Sequence, residues 1–145
     1  MTAPDLAAMN ATMSERILAG PPQPFTEGGY VLRVLRTTGS RSGLPRTTPL
    51  GVVQHRGGLY LVSPDPRRAW VRNLAAAPAC VLDPGADPRT AVPAPPEEAA
   101  PVVSSYLRAM NQPWALREFP VPQDASLEEI TAHLGTMAVL RLDPR

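Results

Sequence analysis

The sequence predicts an α+β domain built on a small β-barrel of five or six mainly antiparallel strands with flanking helices. Between residues 30 and 92, short runs of apolar and β-branched residues alternate with clusters of glycine, proline and polar residues, as in strands joined by tight turns. Only one helical segment interrupts these strands, so the repeated strand–helix–strand units of a doubly wound parallel sheet are not indicated. The 145 residues contain no long linker, and we expect a single domain over residues 1–145.

The composition limits both the class of protein and its chemistry. With 14 Arg, no Lys and 13 acidic residues the net charge is +1, which provides no strong field for nucleic acid or an anionic membrane. The absence of Lys excludes Schiff-base chemistry and leaves arginine as the cationic binder of anions. Cys80 is the only cysteine, so neither an internal disulfide nor a CxxC metal site can form. No apolar run has membrane-spanning length and no signal-peptide pattern is present, so we expect a cytoplasmic protein.

Residues 1–20 predict a helix that precedes the barrel, which we expect to occupy residues 21–145. Gly20 and the two prolines after it end the helix. Its apolar residues recur at steps of three or four positions and form a Met-rich stripe: Leu6, Met9, Met13 and Ile17. We expect this stripe to pack on the barrel, with closure over a ligand and contact with a membrane surface as alternatives.

The remaining elements follow in chain order. The strand signals cover residues 30–37, 47–55, 59–63, 79–82, 89–92 and 137–142. Helices are predicted at 67–77, at 97–110 and from Ser126 onward, where Ser126 and Glu129 have the spacing of a capping box. Prolines follow the strand at 89–92, which predicts that this strand lies at a sheet edge.

The turn between the first two strands has the composition of an anion site. Gly39 and Gly43 supply positions that can adopt positive φ, and Arg41, Ser42 and Arg46 accompany them. Backbone N–H groups of a tight turn, guanidinium groups and hydroxyls together bind phosphate or carboxylate. An ordinary polar hairpin with solvated arginines explains the same residues equally well.

A second basic segment opens the predicted helix at 67–77. Arg67, Arg68 and Arg72 lie near its N-terminus, where positive charge opposes the helix dipole and favours a compensating anion. A helix N-terminus also binds anions, so this segment and the turn can hold one polyanionic ligand together. Trp70 can stack on a ring system, although a lone aromatic residue is more often part of a core.

Residues 37–50 and 70–74 together resemble the deazaflavin-dependent nitroreductase family, one branch of the split β-barrel flavin and deazaflavin oxidoreductases. The family pattern is approximately T-T-G-[RK]-[KR]-S-G-x-P-R-T-x-P-L, followed by a hairpin and W-x-x-N-L. This chain has TTGSRSGLPRTTPL and WVRNL in the same order. The resemblance is good over residues 28–83 and looser elsewhere.

The resemblance implies a split barrel whose groove binds reduced coenzyme F-420, a deazaflavin. The family positions that contact phosphate fall on Arg41, Ser42 and Arg46. The other implied coenzyme contacts are the main chain at Thr48, Pro49, Leu50 and Ser63 around the ring, and Trp70 and Asn73 near the anionic tail. Arg67 and Arg68, from the second basic segment, are expected to add positive charge for the same tail. The implied reaction is hydride transfer to an enone, quinone or nitroaromatic, with the protein positioning the reactants.

Two departures from the family pattern favour an alternative function. Ser40 stands where the family has a cation, and Asp65 lies in an unusually short loop. In this alternative the barrel carries no coenzyme and binds an apolar small molecule, as a carrier or as a cyclase or isomerase of secondary metabolism. FMN or haem in place of the deazaflavin is a further possibility.

Three expectations hold for the deazaflavin-dependent function and for its alternative. In each, the residues expected to line the substrate pocket are Tyr106, Met110, Trp114 and Phe119. No metal site is expected, because the two histidines have no nearby cysteine or carboxylate partners in the sequence. A homodimer of paired barrels sharing a groove fits the resemblance.

Overall fold

Six antiparallel strands close into a barrel in the computed structural model, which describes residues 5–145. The strands are β1 (Tyr30–Thr38), β2 (Pro45–His55), β3 (Gly58–Ser63), β4 (Ala79–Asp83), β5 (Asp87–Pro93) and β6 (Ala138–Pro144). Around the barrel they follow the order β1-β2-β3-β6-β5-β4. The predicted fold class, a barrel of six antiparallel strands with flanking helices, is confirmed.

The helices lie outside the barrel wall or across its end. They are α1 (Leu6–Ala19), α2 (Ala69–Ala76), α3 (Pro96–Ala109), α4 (Pro113–Leu116) and α5 (Leu127–His133), followed by a 3-10 turn at Leu134–Thr136. The capping box at the start of α5 is confirmed, since Ser126 and Glu129 bond each other's backbone N–H. Residues 1–4 of the predicted N-terminal helix lie outside the described residues. None of the described helices combines the length and apolar composition needed to cross a bilayer.

Side chains alternate between the barrel interior and an outer layer. On β3, Leu61 belongs to the interior cluster, which Trp70 and Leu74 of α2 also join. Its neighbours Tyr60 and Val62 belong to a second cluster, formed with α3 and α5 on the outer side of the wall. This period-two alternation is what a strand buried on both faces requires. Helix α2 therefore contributes side chains to the interior cluster, whereas α3 packs on the outer side of the wall.

The prediction that the strand at 89–92 lies at a sheet edge is wrong. Strand β5 pairs with β4 on one side and with β6 on the other, where Ala91 lies opposite Leu142. Pro88 and Pro93 are tolerated because they lie near the strand ends, where a missing N–H removes few ladder bonds. Closure of the barrel leaves this strand without a free edge.

Helix α1 lies against β1 and β2 but buries none of its side chains. Leu6 and Met9 remain 70% and 54% exposed, and only Ser14 and Ile17 are partly covered. The prediction that the apolar stripe packs on the barrel is therefore wrong for its N-terminal half. A straight helix about 21 Å long can touch a curved barrel wall over only part of its length.

An ion-pair network fastens the start of α3 to the barrel wall. Glu98 accepts hydrogen bonds from the Tyr60 hydroxyl and from Arg141, and Arg141 also pairs with Asp143. The hydrogen bond from Tyr60, followed by that from Arg141, lowers the pKa of Glu98 below its usual value. Burial together with Glu98 raises the pKa of Tyr60 to about 12, so this hydroxyl remains a donor.

Because folding lowers the pKa of Glu98, its ionised form stabilises the fold at neutral pH. We expect Glu98→Gln to lower the free energy of unfolding by about 1 kcal/mol at pH 7, the typical net value of one hydrogen bond. The difference should shrink as the pH falls below about 4.3, the unfolded pKa of glutamate, because protonation then removes the same charge from the wild type. Thermal unfolding from pH 7 to pH 3 measures this, with the exposed neighbour Glu97→Gln as the control. A difference that is independent of pH would contradict it.

Candidate functional site

Strands β2 and β3 separate at one end of the barrel. Strand β2 pairs with β1 along its length, but with β3 only through the three positions that end at Val53 and Tyr60. Strand β3 pairs with β6 on its other edge along Leu59–Ser63, but beyond Tyr60 its residues have no pairing with β2. No strand among residues 5–145 therefore pairs with the second edge of β2 over residues 45–52. Such an edge presents backbone N–H and C=O groups that can hydrogen-bond a flat heterocycle.

Most of the residues expected to contact the coenzyme ring lie at this opening and have accessible surface. Thr48, Pro49 and Leu50 are each partly buried, with some exposed surface, on the separated part of β2. Ser63 differs, because its side chain is fully buried. Its hydroxyl donates to the Asp65 carbonyl at 2.7 Å and accepts from the Asp65 amide at 3.2 Å. The Ser63 side chain thus holds the start of the β3–α2 loop in place.

The β1–β2 turn is a self-bonded loop. The Ser42 hydroxyl accepts from the Leu44 amide at 3.2 Å and from the Arg46 guanidinium at 3.3 Å. Gly43 adopts the predicted positive φ of 69°. Gly39 does not, so that prediction is wrong. Residue 39 is glycine because a Cβ there would lie 2.6 Å from the Ser42 hydroxyl oxygen and 3.2 Å from the Leu44 carbonyl oxygen.

Helix α2 contacts this turn through Asn73. The side-chain oxygen of Asn73 accepts from the Ser40 amide at 2.9 Å, and its nitrogen donates to the Thr37 hydroxyl at 3.2 Å. Asn73 is only 6% exposed, so both bonds are shielded from water. The predicted convergence of the two basic segments is confirmed, and Asn73 is the side chain that joins them. Trp70, one turn earlier, is buried in the barrel interior.

The arginines of the two segments fall into two groups. Arg67 and Arg68 precede α2, which begins two residues later than predicted, and both are paired with carboxylates. Arg67 makes two bonds of 3.1 Å to Asp65 and holds the pKa of that carboxyl below its usual value, while Arg68 pairs with Glu118. Within residues 5–145 no carboxylate pairs with the remaining three: Arg41, Arg46 and Arg72, all exposed.

An aromatic cluster lies beside the opening. The ring centroid of Tyr106 is 5.7 Å from that of Phe119 and 6.0 Å from that of Tyr30. Burial raises the pKa of Tyr106 to about 12, so its hydroxyl is protonated at neutral pH. The Tyr30 ring covers Gly51 so closely that a Cβ there would lie 2.3 Å from it. Of the other residues expected in the substrate pocket, Met110 is buried and Trp114 is 59% exposed.

Sequence reasoning missed Tyr30, Gly51 and Glu118. Gly51 carried a usable signal, because a glycine inside a strand often marks a close approach by another group. No comparable signal identified Glu118, whose partner Arg68 is 50 residues away in the chain.

The residues at this end of the barrel fit a flat, anionic coenzyme. The unpaired edge of β2 suits a heterocycle, and three guanidinium groups without carboxylate partners suit phosphate and carboxylate groups. A second cavity of about 650 Å³ lies between α2, β5 and β6 and is lined entirely by apolar residues, proline and glycine, among them Leu74, Met137 and Leu140. It offers an anion no charged partner, unlike the opening at β2.

Several solved structures resemble this chain. One, described as a domain-swapped dimer, is 22% identical, with 77% of this chain and 79% of that chain covered and a TM-score of 0.53. An F420-H2 dependent reductase, FDR-A, is 19% identical, with 83% and 99% covered and a TM-score of 0.51. A heme binding protein from Mycobacterium smegmatis is 17% identical, with 100% and 53% covered and a TM-score of 0.55. At these identities the likeness establishes the fold alone.

A search of curated proteins gave no match. The family model described as F420H(2)-dependent quinone reductase matches residues 14–118, which is most of the chain and includes the β1–β2 turn, the separated edge of β2 and α2. The chain therefore belongs to the F420H(2)-dependent quinone reductase family and is an oxidoreductase of the deazaflavin-dependent class.

Proposed function

We propose that this chain binds reduced coenzyme F420 in the opening between β2 and β3 and reduces a small electrophile of the quinone, enone or nitroaromatic type. The observation that carries the proposal is the Asn73 contact, which places the arginine-bearing β1–β2 turn beside α2 at the open end of the barrel. An anionic tail held there leaves a flat ring free to lie along the edge of β2.

The residues have distinct roles in this proposal. Arg41, Arg46 and Arg72 bind the negatively charged groups of the coenzyme, and the main chain at Thr48 to Leu50 orients its ring. When bound, the coenzyme supplies the hydride. The Tyr106 hydroxyl remains protonated at neutral pH and can donate a hydrogen bond to an oxygen of the substrate. The aromatic cluster around it excludes water from that side of the opening.

The proposal is tested by titrating the purified protein with coenzyme F420 and measuring the dissociation constant by calorimetry. We expect Arg46→Gln to weaken binding about tenfold, because a charge-assisted contact to phosphate is lost. Arg56→Gln is the matched control, because Arg56 is exposed and lies ten residues, or about 33 Å, further along the chain at the other end of β2. Absence of binding by the folded wild type, or equal loss in both variants, would overturn the proposal.

The second candidate is the coenzyme-free carrier or isomerase. The apolar cavity between α2, β5 and β6 favours it, because a cavity of about 650 Å³ without charged lining suits a hydrocarbon ligand. A hydrophobic fluorescent probe that binds while F420 does not would support this function.

A homodimer is also proposed. The solved structure described as a domain-swapped dimer shares the fold of this chain, and paired barrels would border each opening with a second subunit. Light scattering across a range of concentrations tests this, and a monomer at every concentration would contradict it.

A further inference from the structure

The ion pair between Arg68 and Glu118 joins two segments that are distant in the chain. Arg68 ends the loop between β3 and α2, and Glu118 follows α4, 50 residues later. The two side chains are 41% and 44% exposed, so water and solutes reach the pair. An ion pair this exposed is weak, because solvent screens the attraction and ordering both side chains costs entropy.

The pair lies next to the opening described above. Glu118 immediately precedes Phe119, whose ring contacts Tyr106, and the charges of both Arg68 and Glu118 act on the Tyr106 hydroxyl. Arg68 also stands at the N-terminal end of α2, which carries Asn73 and Arg72. Arg68 therefore lies at the end of the helix whose Arg72 is proposed to bind the anionic ligand.

The other paired arginine of this loop is different in kind. Arg67 bonds Asp65, two residues away, and Asp65 also accepts from the Arg67 amide. That pair is local and shapes the loop itself. The Glu118 carboxylate serves no backbone group in the described structure, so its one bond is to Arg68.

We propose that Glu118 is a built-in competitor, a carboxylate that holds Arg68 until an anionic group of the ligand displaces it. The inference rests on the proposed function insofar as the ligand is the deazaflavin coenzyme. A phosphate group accepts bidentate, charge-assisted hydrogen bonds from arginine and displaces a single exposed carboxylate readily. Glu118 therefore lowers the affinity of every anion at this site, and ligands with several negative charges, which engage Arg41 and Arg46 as well, are retained best.

Displacement also releases a tether. Once Glu118 leaves Arg68, the segment that carries α4 keeps its apolar contacts through Phe119 but loses its polar link to the β3–α2 loop. Trp114 lies on α4 and is 59% exposed, so its fluorescence reports a change in this segment. Trp70 is buried in the barrel interior and should change little.

The experiment uses two probes, inorganic pyrophosphate and coenzyme F420, titrated against wild type and Glu118→Gln. For both probes we expect Glu118→Gln to bind about threefold to fivefold more tightly, the gain expected when an exposed ion pair no longer competes. Glu97→Gln is the matched control, since it changes the net charge equally but lies at the start of α3, about 14 Å along that helix from Tyr106. In an Arg68→Gln background the substitution of Glu118 should give no gain. Binding should also alter the Trp114 fluorescence in a Trp70→Phe protein.

The outcomes separate this inference from the proposed function. Equal affinities in wild type and Glu118→Gln, or weaker binding in Glu118→Gln, would overturn the inference even if F420 binds. A gain that persists without Arg68 would overturn it as well, because it would show a general charge effect. If F420 binds to none of these proteins while pyrophosphate binds more tightly to Glu118→Gln, the inference stands and the proposed function fails.

Discussion

Gly51→Ala is expected to lower the free energy of unfolding by about 2 kcal/mol, or the melting temperature by roughly 8 °C. The added Cβ would lie 2.3 Å from Cδ2 and 2.7 Å from Cε2 of Tyr30, well inside contact distance. Relief requires the Tyr30 ring to leave its place or β2 to shift away from β1. Movement of the ring separates Tyr30 from Tyr106 and disrupts the aromatic cluster beside the opening, whereas a shift of β2 weakens its pairing with β1.

Gly135→Ala is the matched control for this measurement. Nothing lies within 4 Å of a Cβ at Gly135, and its backbone is not in the positive-φ region. Alanine there should be neutral or slightly stabilising, because it only restricts the unfolded chain. Thermal unfolding of both variants separates overpacking from the general effect of removing a glycine. Equal melting temperatures would show that Tyr30 moves aside without cost and that its position is not fixed by Gly51.

The course of the barrel strands could be predicted because short-range pattern determines it. Period-two alternation and turn residues located β1 to β6 within a few residues. Which strands pair with each other was harder to predict, because strand pairing depends on how the whole sheet closes. Strand β5 has prolines near both ends that suggest an edge, yet closure supplies partners on both sides. The prediction that the apolar stripe of α1 is buried was wrong for the same reason. Burial of this stripe depends on the curvature of the barrel wall, which no local sequence pattern describes.

The site was predictable where one segment supplies several of its features. The β1–β2 turn combines its glycines, Ser42 and two arginines within a few residues, so its form follows from local sequence. The opening at β2 does not, because it arises where the β2–β3 pairing stops at Val53 and Tyr60 while β2 continues alongside β1 and β3 continues alongside β6. The Arg68–Glu118 pair joins residues on elements whose contact only the complete fold defines. Such long-range pairs leave no periodic signal.

Asn73→Ala is expected to lower the free energy of unfolding by about 2 kcal/mol, because it removes two hydrogen bonds and leaves the buried Thr37 hydroxyl without its donor. The two lost hydrogen bonds contribute unequally to this loss of free energy. The Ser40 amide is near the surface and can bond water instead, whereas Thr37 is 6% exposed and cannot. Thr37→Val keeps the bond to Ser40 but leaves the buried Asn73 Nδ2 without its acceptor, and should cost about 1 kcal/mol. Asn111→Ala, at an exposed asparagine, should cost little.

The same substitution is expected to reduce coenzyme affinity as much as Arg46→Gln does, about tenfold. Asn73 need not contact the coenzyme to have this effect, because both ends of its side-chain amide already bond the protein. It acts by fixing the β1–β2 turn to α2, so that Arg46 and Arg72 approach one anionic tail from two sides. The double variant Asn73→Ala with Arg46→Gln should then bind little more weakly than either single variant, because the second change removes a contact already lost. Additive losses would show instead that Asn73 contacts the coenzyme directly and that the turn keeps its place without it.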